Sequence, residues 1–329
     1  MTQYWFISKT NRRATQFALM AFMLAFAVIL LGAYTRLTNA GLSCPDWPNC
    51  FGYVTAPHTL DQLQGAAARY PNIAVDVKKA WTEMTHRYFA GTEGILILIL
   101  AVMTLVKRPT RGLSFIAIAL ITLLGVQVML GMLTVTEKLQ PVIVLGHLLT
   151  GLSLLSGLWL LYLLGTQSNK YYALKRPYLL PWLWLGLFCI IGQITLGGWV
   201  STHYAGLACI DLPYCNGQLL PPLHLNALNT DLITIHMLHR LGALITFSYV
   251  AGLALFLVRF PLLRALAIQL LALLALQLTL GIFNVIWLRP VWIALIHHAV
   301  AIFLLLTMIT VLVKAYFGSE DNRYGSWPT

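Results

Sequence analysis

The sequence predicts an all-α integral membrane protein whose eight transmembrane helices form two tandem-repeated four-helix bundles. Three observations carry that prediction. Of 329 residues, 59% are hydrophobic and only 9% are charged, with a mean hydropathy of +0.78. A soluble domain carries roughly 25% charged residues, so this chain lacks the charge to clothe a soluble surface. The apolar residues fall into eight runs long enough to cross a bilayer, and motifs of the first half recur in the second in the same order. The composition excludes a soluble globular enzyme and a disordered chain. The net charge of +11 does not indicate a nucleic-acid partner, because Lys and Arg sit in short groups between apolar runs and form no basic groove or arm.

A membrane helix needs about 20 mostly apolar residues. Such runs lie at 15–36, 84–106, 113–135, 141–165, 179–200, 232–257, 264–286 and 291–315. The first is too long for the core of a signal peptide and no cleavage site follows it, so it reads as a span. Lys9, Arg12, Arg13, Lys107, Arg108, Arg111, Lys170, Lys175, Arg176, Arg259, Arg264 and Lys314 fall on one side of the membrane. The other side has two long loops, 37–83 and 201–231; the first is nearly charge-balanced and the second carries Asp211 and Asp231 with no Lys or Arg. Positive charge marks the cytoplasmic side. Both termini are therefore expected in the cytoplasm of a bacterium, with the chain in the inner membrane and the long loops in the periplasm or outside the cell.

The repeat is read from four collinear matches. Gly41–Cys50 aligns with Gly206–Cys215 at an offset of 165, and His86-Arg87 with His239-Arg240 at 153. Gln127-x-x-Leu130-Gly131-x-x-x-Val135 aligns with Gln277-x-x-Leu280-Gly281-x-x-x-Val285 at 150, as does His147 with His297. Each half has four spans, so the halves share one orientation. The expected domains are residues 1–168 and 169–329.

Of nine histidines, His58, His203 and His224 lie in loops and read as solvated surface. His86, His147, His239 and His297 instead enter even-numbered spans from the outer face, roughly 8–10 Å deep at 1.5 Å per residue. Ionisable groups inside a membrane are costly and mark functional sites. One pair per half is too few for zinc, which takes three or four protein ligands, but suits a haem iron in a bundle core. Arg87 and Arg240 follow two of these histidines, where a guanidinium could pair with a haem propionate. His298 points about 100° away from His297 around the helix, and the repeat favours His297 as the ligand.

The halves differ at one informative place. Glu83 precedes His86 by three residues on the same helical face, whereas the position three before His239 is His236. A carboxylate beside one site only can relay protons or stabilise developing positive charge. Glu93 lies seven residues beyond His86, near the same face but deeper, and has no evident role. Cys44/Cys50 and Cys209/Cys215 form two Cys-x5-Cys pairs in outward loops, an oxidising setting in which disulfides persist. The second pair reads as a structural staple; the first, in the half with Glu83, reads equally as a redox or substrate-handling pair. Cys189, within a span, reads as a buried small apolar residue.

Taken together, the eight spans, Glu83-x-x-His86-Arg87, His147, His239-Arg240, His297 and the two outer Cys pairs resemble the haem A synthase family over almost the whole chain. The resemblance implies oxidation of the C8 methyl of haem O to a formyl group through a hydroxymethyl intermediate, supplying haem A to cytochrome oxidase. It implies substrate haem O near His86 and His147, with Glu83 as the catalytic carboxylate and Cys44 and Cys50 tied to activity. It implies haem b, an iron cofactor, held by His239 and His297. Partners it brings are the lipid bilayer, a haem O synthase, an electron-transfer protein or quinone, and a second copy of the chain. The competing reading is a membrane cytochrome b that exchanges electrons with quinone, which would have no use for a carboxylate in one half alone.

Overall fold

The computed structural model describes residues 12–106, 110–166 and 177–317. Among these residues it contains nine α-helices and no strand. They are α1 (Arg12–Leu37), α2 (Leu60–Arg69), α3 (Val77–Val106), α4 (Arg111–Thr136), α5 (Pro141–Thr166), α6 (Leu180–Thr202), α7 (Leu232–Leu257), α8 (Pro261–Ile286) and α9 (Val291–Phe317). All but α2 are long and apolar enough to cross a membrane. A lipid environment offers no hydrogen-bond partner, so spanning backbone must satisfy itself, and helices of this length do so. The expected domain junction at 168/169 and the basic residues Lys9, Lys107, Arg108, Lys170, Lys175 and Arg176 lie outside the described residues.

Hydropathy located the spans but not all their ends. α3 begins at Val77, well before the apolar run at 84. Its first turn is polar, and the Asp76 carboxylate accepts the Lys79 N–H at 3.1 Å, so the helix starts in the loop and enters the apolar layer later. α2 is a further element, amphipathic and too short to span. It opens with a capping box in which Thr59 accepts the Gln62 N–H and Gln62 reaches back to the Thr59 N–H.

α1, α3, α4 and α5 pack in a ring, α1 and α4 each touching both α3 and α5. α6, α7, α8 and α9 pack the same way, α6 and α8 each touching both α7 and α9. α3 and α5 therefore stand diagonally across one ring, and α7 and α9 across the other. The rings meet through α1, α5, α6 and α9. Between helices in lipid, close packing and hydrogen bonds replace the hydrophobic effect as the adhesive. Leu155, Leu158, Leu183 and Val311 fill the middle of the shared core, and the Trp159 indole N–H donates to Thr310 Oγ1 at 2.9 Å across the seam. At the loop end, Arg36 of α1 donates to the Ser201 carbonyl at 2.6 Å and lies 3.9 Å over the Tyr204 ring.

The two long loops carry small clasps of matching geometry. Cys44–Cys50 and Cys209–Cys215 are disulfides, each beside a one-residue β-bridge, Cys50 to Tyr53 and Cys215 to Gln218. Asp46 accepts the Phe51 and Gly52 N–H groups at 2.6 and 2.7 Å, and Asp211 accepts those of Asn216 and Gly217 at 2.7 and 2.9 Å. The turn places Gly52 and Gly217 at φ +79° and +81°, a conformation open to glycine without strain.

Asp231 caps α7, accepting the Ile233 and Thr234 N–H groups at 3.1 and 3.3 Å, and pairs with His224 at 2.8 Å. The His224 bond first, then those from Thr234 and the helix amides, pull its carboxyl down to about 2. A depressed carboxylate stabilises the fold above its unfolded pKa of about 4 and loses that contribution as pH falls through the folded value. Hydrogen exchange at the Ile233 and Thr234 amides should therefore stay slow, relative to intrinsic rates, from neutral pH down to about 4 and quicken towards about 2. Loss of this protection already at pH 5 would contradict the capping account.

Candidate functional site

The four span histidines stand on glycine. A methyl group placed on Gly32, Gly131, Gly197 or Gly281 would lie 2.9, 3.2, 3.0 or 3.3 Å from Cε1 of His86, His147, His239 or His297. No larger residue fits there without moving the ring. Each glycine is the fifth residue before the end of its helix, α1, α4, α6 or α8, so all four imidazoles sit at one depth, about 7–8 Å inside the loop end. His86 and His147 are carried by the diagonal helices α3 and α5, and His239 and His297 by α7 and α9.

These pairs fit haem. A haem iron takes two axial ligands from opposite sides, and diagonal helices of a bundle offer them across the core. The rings of His86, His147 and His297 are each hydrogen-bonded to the backbone of the residue four before their shelf glycine, Val28, Gln127 and Gln277, which orients them as ligands. Among the described residues no cluster of three or more His, Cys, Asp or Glu side chains is placed to hold a bare metal ion.

Three glutamines lie against the histidines, a feature the sequence reading did not assign. Gln127 and Gln277 place Nε2 at 3.4 and 3.2 Å from Nε2 of His147 and His297. Gln193 places Nε2 at 3.0 Å from His239 Nδ1 and donates to the His239 carbonyl at 3.0 Å. Gln127 and Gln277 belong to the repeated motif, and an amide side chain inside an apolar span was the available signal.

Glu83 is 4% exposed and fully engaged. One oxygen accepts the Ser43 and Cys44 N–H groups at 2.9 and 3.0 Å, and the other accepts Arg87 at 2.5 Å. Arg87 also donates to the carbonyls of Asp46, Pro48 and Asn49 at 2.6 to 3.1 Å. The carboxylate expected near the first site is thus bolted to the first disulfide loop. His236 takes the equivalent place in the second ring: the Cys209 N–H lies 3.4 Å from its Nδ1 and the Arg240 Nε–H 3.4 Å from its Nε2, and the neutral ring accepts one of the two at a time. Arg240 donates to the carbonyls of Cys209, Asp211 and Tyr214. Both arginines knit loop to helix, a task the sequence did not announce.

The remaining candidates fall outside the two sites. His58 and His203 bond nearby carbonyls of their own loop or helix end, and His224 pairs with Asp231. Both Glu93 oxygens and His298 Nε2 are buried without a partner. Cys189 is half-buried rather than buried, because it sits on α6 between the exposed Phe188 and the buried Ile190.

Fold and site define a class: an eight-span membrane protein with two buried histidine pairs suited to haem. The family model described as "COX15-CtaA: Cytochrome oxidase assembly protein" matches residues 15–309, and the chain belongs to that family. It is 42% identical to a heme A synthase of Shewanella oneidensis over 305 residues, 86% of this chain and 91% of the relative. It is 27% identical to heme A synthases of Neorickettsia sennetsu, over 86% of this chain and 93% of the relative, and of Bacillus licheniformis, over 69% and 70%.

Arg87→Ala would leave Glu83 buried without its counter-charge, a loss on the order of 3–5 kcal/mol. Arg240→Ala removes hydrogen bonds worth about 0.5–1.5 kcal/mol each but strands no carboxylate. Unfolding of the detergent-solubilised protein should therefore shift more for the first variant. Equal shifts would show that the Glu83–Arg87 pair adds nothing beyond the loop carbonyl bonds.

Proposed function

We propose that the chain is a haem A synthase, an oxidoreductase that converts the C8 methyl of haem O to a formyl group through a hydroxymethyl intermediate. The observation that carries this reading is the unequal pair of sites: Glu83 hangs beside His86, and His236 stands in its place beside His239. A protein that only relayed electrons between two haems would have no need of the difference. The family match and the Shewanella relative support the same conclusion.

In this reading residues 1–168 form the substrate domain, with haem O between His86 and His147. Residues 169–329 hold haem b between His239 and His297. Haem b supplies one-electron redox chemistry when bound. The protein's own contribution begins with orientation: glycine shelves set the depth of the rings, and Arg87 and Arg240, the cations next to them on α3 and α7, would hold the propionates by exchanging some of their loop-carbonyl bonds. Glu83 acts as the carboxylate that accepts a proton or steadies positive charge developing at the methyl carbon. Its bonds to Ser43 and Cys44 tie that role to the Cys44–Cys50 disulfide, which accounts for an activity-linked cysteine pair. Cys209–Cys215 staples the second loop. The termini lie in the cytoplasm and both loops in the periplasm of the inner membrane, consistent with the basic residues of the short connections. Haem O synthase, an electron-transfer partner or quinone, and a second copy of the chain are the expected partners.

The test is haem extraction from the protein purified out of cells that make haem O, followed by chromatography and mass measurement. Haem A or hydroxymethyl haem should appear beside haem b. Glu83→Ala should abolish the formyl product and keep the haem b spectrum. Haem b alone from the parent protein would favour the electron-transfer cytochrome, and normal haem A from the Glu83 variant would remove Glu83 from the chemistry.

A further inference from the structure

Glu93 is buried on α3, and neither of its carboxyl oxygens finds a hydrogen-bond partner among the described residues. It belongs to the buried stripe of that helix, which continues through Ile97 and Leu100. It stands seven residues beyond His86. At 100° per residue this returns it to within about 20° of the same face and sets it about 10 Å farther from the loop end. An ionisable group inside a bilayer is costly and marks a functional site. The offset of 153 that carries His86 onto His239 carries Glu93 onto Thr246. Thr246 is buried too, but its hydroxyl donates to the Cys189 carbonyl of α6 at 3.3 Å. The second bundle satisfies its deep polar position from within, and the first leaves its own open.

We infer that Glu93 is a specificity-determining residue of the first site, the group that receives the hydroxyl of haem O's prenyl tail. Haem O differs from haem b in a single substituent. Where haem b has a vinyl group, haem O has a hydroxyethylfarnesyl chain with its hydroxyl on the carbon next to the ring. That substituent leaves the porphyrin on the edge opposite the propionates, and the C8 methyl flanks one of the propionates. With the propionates drawn to Arg87 at the loop end, the methyl comes to the side of Glu83 and the hydroxyl points down α3 towards Glu93. A carboxyl group accepts from that hydroxyl, and in its acid form also donates to it. Inside a bilayer the hydroxyl has no water to turn to. A pocket without a polar group at that depth would therefore cost haem O a hydrogen bond and cost haem b nothing. Thr246, already engaged, suits a resident haem that lacks the hydroxyl. This role rests on the assignment of haem O to the N-terminal half and haem b to the C-terminal half. It adds how the first half tells the two haems apart.

The experiment starts from the protein purified in detergent with its resident haem b, out of cells that make no haem O. It is titrated with haem O and, separately, with haem b, and binding is followed in the Soret band. The binding that His86→Ala removes reports the first site. Glu93→Leu should weaken haem O binding there by about 5–100-fold, the cost of a buried hydroxyl left without a partner, and leave haem b binding unchanged or tighter. Glu93→Gln, which keeps a donor and an acceptor, should retain the parent's preference for haem O. A loosened fold weakens both haems together, so a parallel loss in Glu93→Leu would overturn the inference, as would no loss at all. A parent protein that binds haem O and haem b equally well would overturn it too. His86→Ala and His239→Ala test the underlying assignment separately. Haem O binding that survives the first substitution and disappears with the second would put the substrate in the other half, and the role of Glu93 would fall with that assignment.

Discussion

The constraint on which this structure depends is the absence of water inside a bilayer. Every polar atom there must find its partner within the protein or a bound group. Backbone amides meet the demand by forming eight long helices. Side chains meet it less completely, and the exceptions converge on the histidines. Four imidazoles lie at one depth on glycine shelves, and three glutamines crowd them. Polar groups are concentrated around the histidines of the diagonal helices, and the shared middle of the molecule is packed with leucine, isoleucine and alanine.

The loop end extends the same logic. Arg87 and Arg240 each gather three loop carbonyls and one side chain from their own helix. In doing so they hold a disulfide clasp directly over a histidine pair. The clasps match in their aspartate turns, bridges and glycine conformations, so the frame around both sites is nearly the same. Beside that common frame the halves differ in α2, which only the first loop carries, and in single side chains, glutamate against histidine at 83 and 236. A duplicated scaffold lets a single side chain divide the work, because the change acts within matching clasps and helix rings.

Much of this was legible in the chain. Long apolar runs declare themselves because hydrocarbon tolerates little else, and the depth of His147 and His297 could be counted from Pro141 and Pro290. Glu83 and His236 stood out as unequal partners of a repeated His-Arg pair. Less legible was α3, whose first turns are polar: hydropathy reports where lipid begins, and an N-cap at Asp76 reports where the helix begins. α2 was missed for the same reason, its capping box lying inside a loop with no long apolar run.

By itself, then, the sequence determined the class of protein, the eight spans, the histidines and the carboxylate that sets one half apart, since periodicity, composition and internal repetition are local properties of a chain. Only the tertiary structure decided which side chains meet. It put Gly32 under His86 and Gly197 under His239, brought Gln193 behind a ring 46 residues away, and turned Arg87 and Arg240 towards loop carbonyls. Those choices follow from how helices rotate and cross when they pack, and no spacing along a single helix records them.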